Sequence, residues 1–446
     1  MTRGPADPSV PPVAEARPSG GVAESERLAR VVLSRVAEPG DPRMTSLVRE
    51  HGGEAILAAL RHQADLALAT GPPGADPDRE GGGVDVLGRD LAERLRGVDP
   101  AVELARAAER GMRFVVPGDP EWPAGLEDLQ HAPLLHERGG VPLGLWCRGP
   151  LRLDEAVQRA VAVVGSRSAT TYGADVAGQV AAVLAGEGWT TVSGAAFGID
   201  QAAHRGALAR RGPTIAVLAS GADRAYPTAH RALIDYVADV GLVVSEAAPG
   251  CAPTRIRFLA RNRLIAGLSG GTVVVEAAVR SGALNTASWA AGLGRPVMGV
   301  PGPVTSAPSA GVHQLIRARD ALLVTRGEEV LEVVGRAGEA LLEEPRAPET
   351  PRDRLGATGR QVLDAVPLVR PATTAAVART AGLGPRVVEA ALGTLLEAGV
   401  VVRDQGRWRV APDLVPSGAG DATTDPATDP ATAEASVTGQ LPLDLR

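Results

Sequence analysis

A Rossmann-like α/β fold, with a parallel sheet as its core, a helical module before it and a winged-helix domain after it, is predicted by three observations. From about residue 160 the hydrophobic period switches repeatedly between short β-branched runs and helical runs. Strand and helix in strict turn imply right-handed crossovers and a parallel sheet covered by helices on both faces. Before that region, apolar residues recur at helical spacing; after residue 355 comes a pattern of three helices and a hairpin.

The totals limit what such a fold can do. The chain has 446 residues and a net charge of −6, with arginine as its only Lys/Arg-type cation. That length allows several domains around a well-buried core, and that charge argues against a protein that coats duplex DNA everywhere. Any contact with nucleic acid must be a local patch. Two cysteines, Cys147 and Cys251, make neither a disulfide framework nor a metal site. They suit a reducing cytoplasm. No apolar run approaches membrane-spanning length, and the proline-rich N-terminus lacks the pattern of a signal peptide.

In chain order, residues 1–22 read as a disordered leader, too poor in apolar surface to offset the entropy of ordering. Residues 23–110 read as a helical module of helix-hairpin-helix or SAM-like type. Leu28, Val31 and Val32 precede a turn at Pro39-Gly40-Asp41-Pro42; Leu47, Val48, Ile56, Leu57 and Leu60 follow at helical spacing. A glycine- and proline-rich loop covers residues 70–83, and helical pattern returns over residues 86–110. Two short strands, with Trp122 and Trp146 packed on their neighbours, lead into the main domain, residues 111–335.

In that domain, strands are predicted at residues 161–165, 190–193, 214–218, 242–245, 272–275 and 296–300, with helices between them. Residues 336–354 form a linker. Residues 355–413 form the winged helix: helices near residues 358–366, 373–381 and 386–398, then two strands flanking Asp404-Gln405-Gly406. Pro385 suits the first turn of the third helix and Gly406 the hairpin turn. Such a domain reads DNA or docks a protein: Arg386, Arg403, Arg407 and Arg409 keep the first open, while the lack of polar base-reading side chains on the third helix favours protein docking.

Residues 414–446 read as a disordered tail, yet Gln440, Leu441, Leu443 and Leu445 restore leucines at alternate positions. The pattern resembles the short peptide, Gln-Leu-x-Leu-x-Leu, by which bacterial replication and repair proteins dock on the DNA polymerase sliding clamp. A flexible tether suits an extended peptide of that kind.

The stretch richest in chemistry is residues 254–277, TRIRFLARNRLIAGLSGGTVVVEA. Four arginines, Arg255, Arg257, Arg261 and Arg263, fall within nine residues around one aromatic, Phe258. Guanidinium forks match phosphates, and a ring among them can stack on an unpaired base. The same run also fits a solvated basic helix face. Three further loops leave the carboxyl edge of the sheet, where ligands of open α/β sheets collect. They hold Gly165-Ser166-Arg167, residues 193–200 with Gly194 and Gly198, and residues 221–227 with Gly221. Their glycines are the candidates for phosphate binding on backbone N–H groups. Gly-Ser-Arg lacks the spacing of a dinucleotide fingerprint, so a backbone phosphate fits better than NAD.

No catalytic residue is assigned. Ser193, Asp200 and His204 invite a triad, but the aspartate and histidine are one helical turn apart and the serine has no nucleophile elbow. The alternative is a Rossmann-like nucleotide phosphoribohydrolase, because Gly270-Gly271-Thr272 with Glu276 faintly resembles the Gly-Gly-x-Gly-Thr loop and glutamate of those enzymes.

Five ordered motifs, GSRSATTYG, SGAAFGIDQAAH, TIAVLASGADRAYP, RNRLIAGLSGGTVVVEAAVRSGALNTA and GRPVMGVPGP, closely resemble the DNA-processing protein A family, also called Smf. The resemblance covers about residues 112–335. It implies a non-enzymatic protein, without cofactor or metal, that binds single-stranded DNA, shields it and helps load RecA recombinase during natural transformation. It also implies a homodimer through the Rossmann domain. The family's pocket residues carry over as Arg167, with Ser166 beside it, Arg255, Phe258, Arg261, Asn262, Arg263 and Arg280. Three departures stand out. Leu259 replaces the proline after the phenylalanine, a change expected to loosen the loop presenting Phe258. Asn285 stands where Ile or Val is usual, and His230 replaces an asparagine.

Overall fold

The computed structural model describes residues 22–69, 94–95, 97–340, 342 and 352–412. The chain divides into two units, residues 1–342 and 343–446. At the centre of the first unit lies strand β3, Ala160–Val164, whose five residues are all buried. Val, Ala and Val in succession have no polar face to turn outward, so both sides of this strand must be covered. With β4 (Thr190–Ser193), β5 (Thr214–Leu218), β6 (Leu242–Ser245), β7 (Gly271–Val274), β8 (Val297–Gly299) and β9 (Leu322–Leu323) it forms a parallel array in the order β6-β5-β4-β3-β7-β8-β9. The order reverses direction at β3: β4 to β6 extend one way and β7 to β9 the other.

The two lead-in strands are part of this sheet. β1 (Met112–Val115) and β2 (Leu145–Arg148) add antiparallel beyond β6, with Trp146 opposite Ser245. Trp146 is fully buried and packs its ring 4.6 Å from Phe114, so the added strands seal what would have been an open edge.

One face of the sheet is covered by α6 (Thr171–Gly186) and α7 (Ile199–Ala209). These two helices approach so closely that a Cβ at Gly206 would strike the backbone of Gly178. The other face carries α9 (Arg255–Gly267) and α10 (Gly282–Gly292), whose Leu264, Ile265, Ala287 and Trp289 join Ala162, Val164 and Val274 in one core. Between these pairs in the chain lies α8 (Arg231–Val240), and the short α5 (Leu153–Ala156) precedes β3. After β8, α11 (Ala310–Ala318) and α12 (Gly327–Val334) complete the unit.

The N-terminal helices α1 (Glu24–Val36), α2 (Pro42–His51), α3 (Gly53–Ala69) and α4 (Pro100–Glu109) belong to the same unit as the sheet. Asp41 and Asp99 cap α2 and α4 through their carboxylates, each with proline at the first helical position. Val31 enters a core shared with Trp146 and Val243, and Arg27 grips Asp119 with two bonds of 2.8 and 2.7 Å. A helical module was expected here; its helices are fastened to the sheet by apolar packing and ion pairs alike.

The second unit contains α13 (Ala357–Ala365), α14 (Thr374–Ala381) and α15 (Pro385–Glu397), then the hairpin β10 (Val401–Asp404) and β11 (Arg407–Val410). Gly382 ends α14 in the left-handed conformation, as a helix C-terminus commonly requires. Gln405 and Gly406 turn the hairpin with φ of 44° and 78°. Trp408 fills the small core and bonds Thr374 through its indole N–H. The tail residues Gln440, Leu441, Leu443 and Leu445 lie outside the described residues.

Candidate functional site

The reversal of strand order at β3 opens a crevice at the carboxyl ends of β3 and β7, the position at which open α/β sheets take their ligands. A cleft of about 670 Å³ lies there. Its walls are the loop after β3, the loop after β7 and the first two turns of α9. Arg167 and Ser166 come from the first, Arg280 from the second, and Arg255, Phe258, Arg261 and Asn262 from the helix. On α9 these last residues follow helical spacing, which gathers them on one side.

Phe258 is half-buried and is the organising ring. The Arg167 guanidinium sits over it at 4.7 Å from the centroid and that of Arg261 at 5.8 Å. Arg261 is nearly buried, donating from Nη1 to Val217 O at 2.9 Å and from Nε to Asn262 Oδ1 at 3.2 Å. Burial lowers its pKa to about 10, Asp200 opposes that shift and the neighbouring charge of Arg167 adds to it. Arg261 therefore remains cationic at neutral pH, with the like charge of Arg167 beside it. Asp200 also lines the cleft; burial raises its pKa, against the pull of Arg261. None of Arg167, Arg255, Arg261 and Arg280 forms a salt bridge among the described residues.

Arg263 is a correction. Of the family positions carried onto this chain it alone is absent from the cleft walls. Its side chain is fully buried and donates from Nη2 to Glu246 Oε1 at 2.7 Å, while Gly40 N donates to that same oxygen at 3.2 Å. Arg257 likewise faces the N-terminal helices, held by Glu38 through bonds of 2.9 and 2.8 Å. Half of the arginine run is thus structural, because its side chains emerge on the flank of α9 that meets the residue 38–40 turn.

The candidate phosphate loops are also rearranged. Ser166 N donates to Glu276 O at 2.7 Å and Gly221 N to Cys251 O at 3.0 Å, so both donors are engaged within the fold. Gly221 is pressed against Ala248 O and lies outside the cleft. Gly165 lines the cleft, while Gly194 lies under the Arg261 guanidinium, where any Cβ would collide with it. Gly198 has φ of 77° and caps α7 against Ser166 O. These glycines let the loops and Arg261 approach closely, a packing role.

Two sequence departures acquire partners. Asn262 Nδ2 donates to Asn285 Oδ1 at 3.1 Å, tying α9 to α10. Leu259 lies inside α9, whose start is capped by Thr254 Oγ1, so Phe258 is presented by a helix rather than a loop. The expected loosening does not arise: leucine continues the helix where proline would interrupt it. One neighbour was missed in the sequence. The ring of Tyr226 stands 5.8 Å from that of Phe258. Its signal was scarcity, since the chain has only three phenylalanines and three tyrosines.

Of the groups considered for catalysis, Ser193, His204 and Glu276 are engaged outside the cleft. Ser193 Oγ donates to Val163 O, and His204 Nδ1 pairs with Thr214 Oγ1 at 2.8 Å. Glu276 accepts from Thr170 N at 2.9 Å and Thr170 Oγ1 at 2.6 Å, anchoring the start of α6. Among the described residues no cluster of His, Cys, Asp and Glu is placed to hold a metal, and no helix is long and apolar enough to cross a membrane. Cys147 and Cys251 are free, and burial pushes the Cys147 thiol up to about 12.

Comparison with known proteins bears on this geometry. The family model described as DNA recombination-mediator protein A matches residues 113–335. The putative DNA processing protein DprA of Mycobacterium tuberculosis H37Rv is 43% identical over 397 residues, covering 87% of this chain and 95% of that protein. DNA processing protein DprA of Streptococcus pneumoniae is 42% identical over 210 residues, 47% of this chain and 70% of that one. The X-ray structure of the pneumococcal protein superimposes with a TM-score of 0.53 at 31% identity, covering 71% of this chain and all of that chain, 100%.

Proposed function

This chain belongs to the DNA recombination-mediator protein A family, and from that premise we propose that it binds single-stranded DNA in the cleft between β3 and β7. The observation that carries the proposal is the split of charge on α9. Arg257 and Arg263 are neutralised by Glu38 and Glu246, whereas Arg255 and Arg261, with Arg167 and Arg280, face an open cleft without a salt-bridge partner. Guanidinium groups without a salt-bridge partner around a ring suit phosphates with an unpaired base beside them, and the one carboxylate in the cleft, Asp200, has its pKa raised by burial. A duplex, with its bases stacked inside, offers nothing for Phe258.

In this reading the protein turns over nothing. It shields single strands in recombination or natural transformation in the cytoplasm, acts as a homodimer and hands the strand to RecA recombinase. The 440–445 peptide docks on the sliding clamp, and the 355–413 domain, read as a winged helix, docks protein. The hydrolase alternative needs the Glu276 carboxylate in the cleft, and Thr170 holds it elsewhere.

Fluorescence anisotropy of a labelled oligonucleotide, single-stranded and duplex, over a salt series tests the reading. Three to five phosphate contacts give a single-strand slope of roughly −2 to −3.5 in log affinity against log salt. Preference for duplex, or no binding at low salt, would overturn it. Deleting residues 440–446 should abolish clamp capture and leave DNA affinity unchanged.

A further inference from the structure

Phe197 and Tyr226 are half-exposed rings, at 46% and 44%, in a chain with six phenylalanine and tyrosine residues in all, three of each. Their placement is regular. Phe197 follows β4, Tyr226 follows β5 and Phe258 follows β6, and these three strands are adjacent in the sheet. Three of the chain's six Phe and Tyr rings therefore follow adjacent strands at one carboxyl edge, beside the arginine cleft, where Tyr172 after β3 bonds to Pro301 O. Leaving such rings in water forfeits the favourable burial of apolar area that aromatic residues usually provide.

Both rings are held in position. Tyr226 packs at 5.8 Å from Phe258, with the two planes 59° apart. Phe197 meets the ring of His230 at 4.4 Å, near edge-on at 66°. His230 is 3% exposed; its Nδ1 pairs with Ala195 O at 3.0 Å and its Nε2 is buried without a partner. Ala195 in turn adopts φ of 53°, a conformation L residues seldom take. The support under Phe197 is thus a buried ring fixed to the backbone of the same loop. Arg224 and Arg231, both exposed, flank Tyr226 and the Thr228–His230 turn in sequence.

We propose that Tyr226 and Phe197 extend the cleft into an aromatic track, each ring carrying one base of the strand as it leaves Phe258. The proposal rests on the single-strand reading above and adds a second binding segment to it. Stacking on such rings tolerates any base, because every base has a π face. The track therefore adds affinity and length dependence without sequence preference.

The test uses the full chain, an oligothymidylate series of increasing length, and the variants Tyr226→Leu, Phe197→Leu and Arg261→Ala. For oligonucleotides long enough to pass the cleft, each leucine variant should bind about five- to tenfold more weakly. For the shortest ones that still bind it should match the native protein, with the salt slope unaltered. An abasic nucleotide at the matching position should weaken the native protein and leave the corresponding variant unchanged. If the leucine variants bind every length like the native chain while Arg261→Ala loses binding, the track is wrong and the cleft stands. Equal weakening at all lengths would mean that the two rings only position Phe258, which also overturns the track. If the native protein binds no single strand at all, the cleft reading itself fails.

Discussion

Helix α9 has two arginine-bearing flanks with opposite fates. Toward the N-terminal helices, Arg263 and Arg257 are closed by Glu246 and Glu38; toward the crevice, Arg255 and Arg261 join Arg167 and Arg280 and meet no such partner. The same residue type thus acts as an ion-pair fastener on one flank and, on the other, as a cation with no carboxylate in salt-bridge contact. What differs is the facing element: the turn before Gly40 brings Glu38, and Glu246 after β6 is held beside it by Gly40 N, while the crevice supplies space. The difference teaches that the number of arginines in a run says little about the charge available to a ligand.

The largest effect expected from breaking this contrast is at Arg263. Arg263→Ala leaves Glu246 buried without its cation, a change that costs about 3–5 kcal/mol. Urea unfolding should show it. Arg263→Met combined with Glu246→Leu should recover most of that loss, since a buried pair replaced by apolar side chains is often neutral. Failure to recover would mean that the pair specifies the seat of the N-terminal helices rather than only filling it.

The excess charge of the open flank reaches inward to His204. Burial first, then His230 and Arg261, push its imidazole down to about 3. The folded pKa lies below the unfolded one, so the unfolded chain takes up the proton first. Stability is retained above about pH 6.5 and lost as pH falls toward 3, by about 1.4 kcal/mol per pH unit in that window. Asp200, raised by burial, acts in the opposite sense, so the comparison must be made between the native protein and His204→Gln. Urea midpoints between pH 7 and 4 should fall less steeply in the variant; equal slopes would show that His204 is not held neutral.

A smaller effect separates binding from folding. Arg280→Ala, on the open side, should reduce the single-strand salt slope by about 0.7 and shift stability by no more than about 0.5 kcal/mol. A slope equal to that of the native protein would remove Arg280 from the phosphate contacts. The smallest effect is at the partly exposed pair: Glu38→Gln should lower stability by less than about 1 kcal/mol and leave DNA affinity alone. A marked loss of affinity there would mean that the two flanks are coupled through α9.

Much of the architecture was legible in particular residues. The run of Ala, Val, Ala, Val and Val in β3 admits only a doubly covered strand, and the Pro385 start and Gly406 turn appear where expected. The cleft was legible as a region, because Arg167, Phe258 and Arg280 lie in or directly after loops that leave the sheet at one edge. Helical phase turns Arg263 about 140° from Phe258 but only about 80° from Arg255, so it does not by itself divide the four arginines into two pairs. Nothing local could have shown that Tyr226 reaches Phe258, or that Ser166 N and Gly221 N are already bonded.

By itself the sequence determined the alternation of strand and helix, the family and the edge of the sheet at which the cleft opens, since these follow from local period and ordered motifs. Only the tertiary structure decided which arginines are paired with a carboxylate. Arg257 finds its carboxylate 219 positions away in the chain, and ion pairing depends on distance in space, which helical phase and spacing along the chain do not contain.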